Sequence, residues 1–202
     1  MPRIPRVALA LSAITFVVVP TMSGCTSSDV LSPAGELVIP LPTGVLESTN
    51  PAVGVSLIPA GGREPLPPVT GASLTGDLVD ITADQATVIN AWASWCAPCR
   101  TELPEFAAAA RDPRFASVEF VGINVRDDLA SATTVAADLP YPSISDPHGD
   151  LLAKIPGVPP QALPSTVILD QQGRVAVRII GPVPNGELST LVTWVLENQE
   201  GT

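Results

Sequence analysis

The chain has 202 residues, 10 Lys and Arg against 20 Asp and Glu, one histidine and three cysteines. That length holds one domain with a tail, and a formal charge of −10 argues against nucleic acid as a partner, because the phosphate backbone rewards clustered Lys and Arg. His148 alone excludes a multi-histidine metal centre, and the two cysteines beyond residue 25 are too few for a zinc knot or an iron–sulfur cluster, so neither metal nor cofactor is expected.

The first 24 residues read as an export signal. Arg3 and Arg6 precede Val7–Val19, thirteen mostly apolar residues ended by Pro20. That run is too short for a transmembrane helix, which needs about 20 residues, and suits a signal-peptide core. Met22-Ser23-Gly24-Cys25 follows. Small residues before a cysteine resemble the lipobox of bacterial lipoproteins, with Met22 where leucine is usual. The resemblance implies cleavage before Cys25, diacylation of Cys25, and a domain held on the extracytoplasmic side of the cell membrane. An ordinary secretory signal with a chance cysteine is the alternative. Residues 25–70 carry eight prolines, many Ser, Thr and Gly, and no long periodic apolar run. That is the composition of a lipid-anchored flexible linker, although short apolar pieces such as Leu37-Val38-Ile39 could dock on the domain as an edge strand.

Residues 71–202 carry the folding signals. Asp77–Thr82 alternates and predicts a strand, and Ala86–Trp92 predicts a buried one. Residues 97–111 are Ala-rich and helical, with Pro104 inside. Ser117–Val125 is another apolar strand. Asp127–Leu139 reads as a helix, with Asp127 and Asp128 at the end where the macrodipole favours negative charge. A short helix is expected over 147–154. Thr166–Asp170 and Arg174–Ile180 are strands separated by a hairpin signal, Gln171-Gln172-Gly173. Glu187–Gln199 closes as a helix with Leu188, Leu191, Val192, Val195 and Leu196 on one face. The order βαβα, then ββα, predicts an α/β fold with a central mixed sheet flanked by helices on both faces.

The chemistry concentrates in Asn90-Ala91-Trp92-Ala93-Ser94-Trp95-Cys96-Ala97-Pro98-Cys99-Arg100-Thr101-Glu102. Two cysteines three apart stand after a strand and at the opening of a helix. A helix N-terminus offers free N–H groups and about half a positive charge, which stabilises a thiolate. Cys96 is therefore the expected exposed nucleophile, and Cys99, one turn inside, the thiol that closes the ring. Pro98 fits the first turn of a helix. A purely structural disulfide remains an alternative, but so short a loop removes little denatured-state entropy. Haem attachment needs His after the second cysteine, where Arg100 stands. A peroxiredoxin-type Pro-x-x-x-Thr-x-x-Cys needs Pro and Thr where Ile89 and Ala93 stand. Zinc lacks ligands, which leaves a redox dithiol as the main reading.

On these residues the chain resembles the thioredoxin superfamily. More narrowly, it is similar to the membrane-anchored, extracytoplasmic thiol-disulfide oxidoreductases of the TlpA/ResA kind, with Ala91 where that family usually has Phe. The resemblance covers about residues 70–200 and includes Leu163-Pro164-Ser165-Thr166-Val167-Ile168-Leu169-Asp170, completed by Gly173. It implies a thioredoxin-like fold with an N-terminal β extension and a cis-proline at Pro164. Leu163 and Pro164 would then face the cysteines and meet an incoming peptide, with Trp95 flanking Cys96. It also implies that Glu102 helps Cys99 lose its proton, since Asn90 occupies the strand position where cytoplasmic thioredoxins carry a buried Asp. The duller reading of Glu102 is a residue well placed near a helix start.

The implied activity is reduction of disulfides in exported proteins, apocytochrome c during cytochrome c maturation above all. Electrons would come from a membrane thiol carrier of the CcdA/DsbD kind, and the protein would be a monomer. An oxidase that forms disulfides in exported proteins is the runner-up. A non-catalytic binding module or chaperone that keeps the motif is a third, non-enzymatic reading.

Overall fold

A computed structural model of the chain describes residues 54–81 and 84–199. The expected export signal, Cys25 and the expected linker up to residue 53 lie outside the described residues. The elements run β1 (Gly54–Leu57), β2 (Val69–Ala72), β3 (Leu78–Ile81), β4 (Thr87–Trp92), α1 (Ala97–Ala110), β5 (Glu119–Val125), α2 (Leu129–Ala136), β6 (Ser143–Asp146), β7 (Ser165–Leu169), β8 (Val175–Ile180) and α3 (Leu188–Glu197). Six strands form one sheet in the order β1-β8-β7-β4-β5-β6, and β2 and β3 form a separate hairpin. β4, β5 and β6 are parallel, whereas β7, β8 and β1 add antiparallel. This is the mixed sheet of a thioredoxin-like fold, as expected.

Successive strand residues point to opposite faces, and that period divides the core in two. Val88, Phe120, Ile168, Val177 and Ile179 lie on one face with Phe106 of α1 and Leu188, Leu191 and Val195 of α3. Ile89, Val121, Ile123, Val167 and Leu169 lie on the other. There the sheet is closed by Val69 and Ile81 of the hairpin and by Leu152, Ile155 and Val158 of the segment after β6, not by a long helix. α2 is shorter than the 127–139 expected and packs Ala132 at the cysteine end of the sheet, against Trp92 and both cysteines. The helix expected at 147–154 is one 3-10 turn, Leu152–Lys154.

Two segments depart from the sequence reading. Residues 54–70, assigned to the linker for their prolines, belong to the fold. β1 pairs with β8 in antiparallel register, Gly54 opposite Ile180 and Leu57 opposite Val177. The Arg63 side chain is fully buried, bonded to the Asp170 carboxylate (3.1 Å) and the Ile58 carbonyl (2.9 Å) and lying over the Trp194 ring. Prolines suit an edge and its approach, where backbone N–H groups need no partner. Ser143–Asp146, which carries no strand pattern of its own, is a strand because it pairs in parallel with β5, Gly122 opposite Ser143.

Candidate active site

β4 is buried along its whole length and delivers the chain to the loop Ala93–Cys96 at the start of α1. Cys96 is the N-cap of that helix in extended backbone, and its Sγ accepts the Cys99 N–H at 3.3 Å. Pro98 lies in the first turn, where no intrahelical bond is lost. Cys96 and Cys99 are joined by a disulfide with Cα atoms 5.3 Å apart. An N–H aimed at Sγ from a first helical turn stabilises negative charge there, so the position favours a thiolate at Cys96. Cys96 is less open than expected, at 5 % exposure, and Cys99 is fully buried. The exposed group beside them is Trp95, 60 % accessible, its indole N–H donated to the Arg126 carbonyl at 3.0 Å.

Leu163 packs against the cluster that holds both cysteines. The Leu163–Pro164 bond is cis, as the resemblance implied. Pro164 is buried, and its carbonyl accepts the Gly181 N–H at 3.0 Å, which fixes the loop to the end of β8. β7 starts at Ser165, opposite Ala91, so the cis-proline enters the sheet at the end where β4 leaves for the cysteines.

Glu102 lies one turn beyond Cys99 on α1 and is buried. Its Oε1 accepts the Asn90 amide at 2.9 Å, and its Oε2 accepts the Val183 N–H at 3.1 Å. Burial pushes the carboxyl up from 4.5 to about 7, against the two hydrogen bonds, which pull it down. A carboxyl raised to that range can take and return a proton near neutral pH. The sequence marked Glu102 but not Asn90 as its donor. The clue is that an amide on the buried strand can bond a carboxylate without adding charge.

Asp127, expected at a helix start, is used differently. The N-cap of α2 is Asp128, which accepts the Ser131 N–H at 2.9 Å. Asp127 turns to the cysteine loop. It accepts the Ser94 N–H and the Ser94 hydroxyl, the latter at 2.6 Å, and the Asn124 amide at 2.8 Å. Its carboxyl stays below the usual carboxylate range: burial pushes it up, and the bonds from Ser94 and Asn124 outweigh that. Among the described residues there is no His, Cys, Asp and Glu cluster suited to a metal, and no helix long and apolar enough to cross a membrane.

The family model "AhpC/TSA family" matches residues 67–178. The thiol:disulfide interchange protein HelX of Rhodobacter capsulatus is 32% identical over 62% of this chain and 66% of its own length. The thiol:disulfide interchange protein DsbE of Pseudomonas aeruginosa is 31% identical over 71% of each. Among solved structures, a secreted thiol-disulfide isomerase from Corynebacterium glutamicum superposes with a TM-score of 0.63 at 31% identity, covering 69% of this chain and 92% of the other. With more than half its length matched and a Cys-x-x-Cys disulfide at a helix start, the chain belongs to the AhpC/TSA family, as a thiol-disulfide oxidoreductase of the thiol:disulfide interchange kind.

Proposed function

We propose that the chain is an extracytoplasmic reductant, held to the cell membrane by a lipid on Cys25, that reduces disulfides in exported proteins, apocytochrome c among them. The observation that carries the reading is Glu102, buried one turn from Cys99 and lifted to about 7. Cys96 thiolate attacks a substrate disulfide, forms the mixed disulfide and releases one substrate thiolate. Cys99 passes its proton to Glu102 and attacks the Cys96 sulfur, which releases the second substrate thiolate and leaves Cys96–Cys99 oxidised. The substrate strand lies beside Leu163 and Pro164, with Trp95 at its edge. A membrane dithiol of the CcdA/DsbD kind then reduces the pair, and Glu102 returns the proton.

Two features favour the reducing direction. Ala97-Pro98 places no basic residue between the cysteines. The nearby carboxylate also opposes the extreme thiolate stabilisation of a strong oxidant. The deciding measurement is the midpoint potential of Cys96–Cys99 in thiol redox buffers. The expected value lies near the thioredoxin end, about −270 mV. A value near about −120 mV would instead make the protein a disulfide-forming oxidant.

A further inference from the structure

The loop that approaches the cis-proline is held from outside. Pro156, Pro159 and Pro160 have no N–H to donate, so the loop cannot brace itself through those amides. Two arginines supply the donors instead. Arg178 of β8 donates through Nε to the Pro156 carbonyl at 3.0 Å. Gly157, at φ +71, makes room for it, since a Cβ there would fall 2.4 Å from the guanidinium carbon. Arg126, just after β5, donates through Nη2 to the Pro160 carbonyl. Gly149, at φ +81, makes room in the same way, with a Cβ position only 2.3 Å from Nη2.

Arg126 is the one non-glycine residue at positive φ (49°) among the described residues. Such a backbone persists only where its surroundings over-determine it, and such sites cluster at functional positions. Here the determinants are visible. The Arg126 N–H donates to the Asp146 carbonyl at 3.0 Å, and its carbonyl accepts the Trp95 indole. The next residue, Asp127, holds Ser94 through both its N–H and its hydroxyl. One dipeptide therefore fastens the cysteine loop on one side and the cis-proline approach on the other.

We infer that Arg126 is a positioning residue for polypeptide substrates: it sets the width of the gap between the cysteine loop and the cis-proline loop. This rests on the reading above that a substrate strand lies along Leu163 and Pro164. A disulfide too small to span both loops does not sense that width.

The test compares two oxidised probes against the full chain in its reduced form: a synthetic peptide with an internal Cys-x-x-Cys disulfide, and oxidised glutathione. The thiols released from each probe are counted. Arg126 is solvent-exposed, so R126A removes the donor without opening a core. The peptide rate constant should fall about tenfold, as displaced reacting groups predict, while the glutathione rate constant and the Cys96–Cys99 potential stay at wild-type values. Gly149→Ala, which drives the guanidinium off from a residue remote in sequence from both cysteines, should reproduce the selective loss. An unchanged peptide rate in R126A, or equal losses on both probes, would overturn the inference. A wild-type chain that reduces glutathione but not the peptide would instead sink the reading of Leu163 and Pro164 as a substrate ledge.

Discussion

Two buried carboxylates stand at opposite ends of the β4–β7 pair, and they are treated in opposite ways. At the end remote from the cysteines, Asp170 has cationic partners: Arg63 at 3.1 Å and Arg174 at 2.9 Å, with the Gln172 and Arg174 N–H groups completing its shell. At the cysteine end, the donors to Glu102 among the described residues are neutral, the Asn90 amide and the Val183 N–H. Burial costs both carboxylates their water. Its two arginine partners make Asp170 a staple that fastens the N-terminal extension to the turn between β7 and β8. Neutral donors compensate Glu102 only in part, and its proton becomes exchangeable near pH 7. The same side-chain chemistry thus serves as a staple at one end and, on the proposed mechanism, as a proton store at the other.

The sharpest break of that contrast is at the staple. Asp170→Ala leaves the Arg63 guanidinium buried without its counter-ion. Removing one partner of a buried pair typically costs about 3–5 kcal/mol. Denaturant unfolding should show a loss of that size, while the Cys96–Cys99 potential stays put. A loss no larger than that of an exposed ion pair, below about 1 kcal/mol, would mean that the pair does not hold the extension.

The Glu102 carboxyl should give a pH signature. Glu102 is raised from 4.5 to about 7 in the fold. Between those values the unfolded chain has lost the proton that the folded chain keeps. Stability of the oxidised chain should therefore be full below about 4.5 and decline as pH climbs through about 7, by about 3 kcal/mol in total. Glu102→Gln should flatten that slope and leave the chain at least as stable as wild type above pH 7. The same variant should slow disulfide exchange, because on the proposed mechanism Cys99 loses its proton acceptor. Exchange that stays at the wild-type rate across neutral pH would reduce Glu102 to a structural group.

The staple was almost invisible in the sequence, and the proton store was half visible. Cys96, Cys99, Glu102 and Pro164 carry local signals: a Cys-x-x-Cys at a strand–helix junction, a helical spacing of three, and a proline opening a strand. Short apolar runs likewise placed β4, β5, β7 and β8, and an alternating one placed β3. What local pattern cannot carry is a partner far along the chain. Arg63 sits in a proline-rich stretch and meets Asp170 across 107 positions. β1 and β6 are each four residues long and are strands only because β8 and β5 offer them a ladder. Asp127 looks like a helix-start charge in the sequence because its neighbours form a helix. Ser94, its partner, arrives from 33 residues upstream.

The smallest of these effects discriminates best, because it asks whether burial alone or burial with hydrogen bonding sets the proton store. Burial is the larger influence on Glu102 and raises it; the Val183 N–H and the Asn90 amide pull back. Asn90→Ala removes one of those two donors and leaves the charge count unchanged. The carboxylate form loses a bond that the protonated form needs less, so the Glu102 pKa should climb further, by about one unit, or ~1.4 kcal/mol. A side-chain carbonyl titration by NMR, read beside the Glu102→Gln control, measures this directly. An unchanged midpoint would assign the shift to burial alone and leave Asn90 a packing residue. A fall would mean that the vacated space lets solvent reach the carboxylate, and Asn90 would then hold the store by excluding water. A rise would show that the strand position next to the dithiol sets the working pH of a carboxylate on the facing helix while carrying no charge itself.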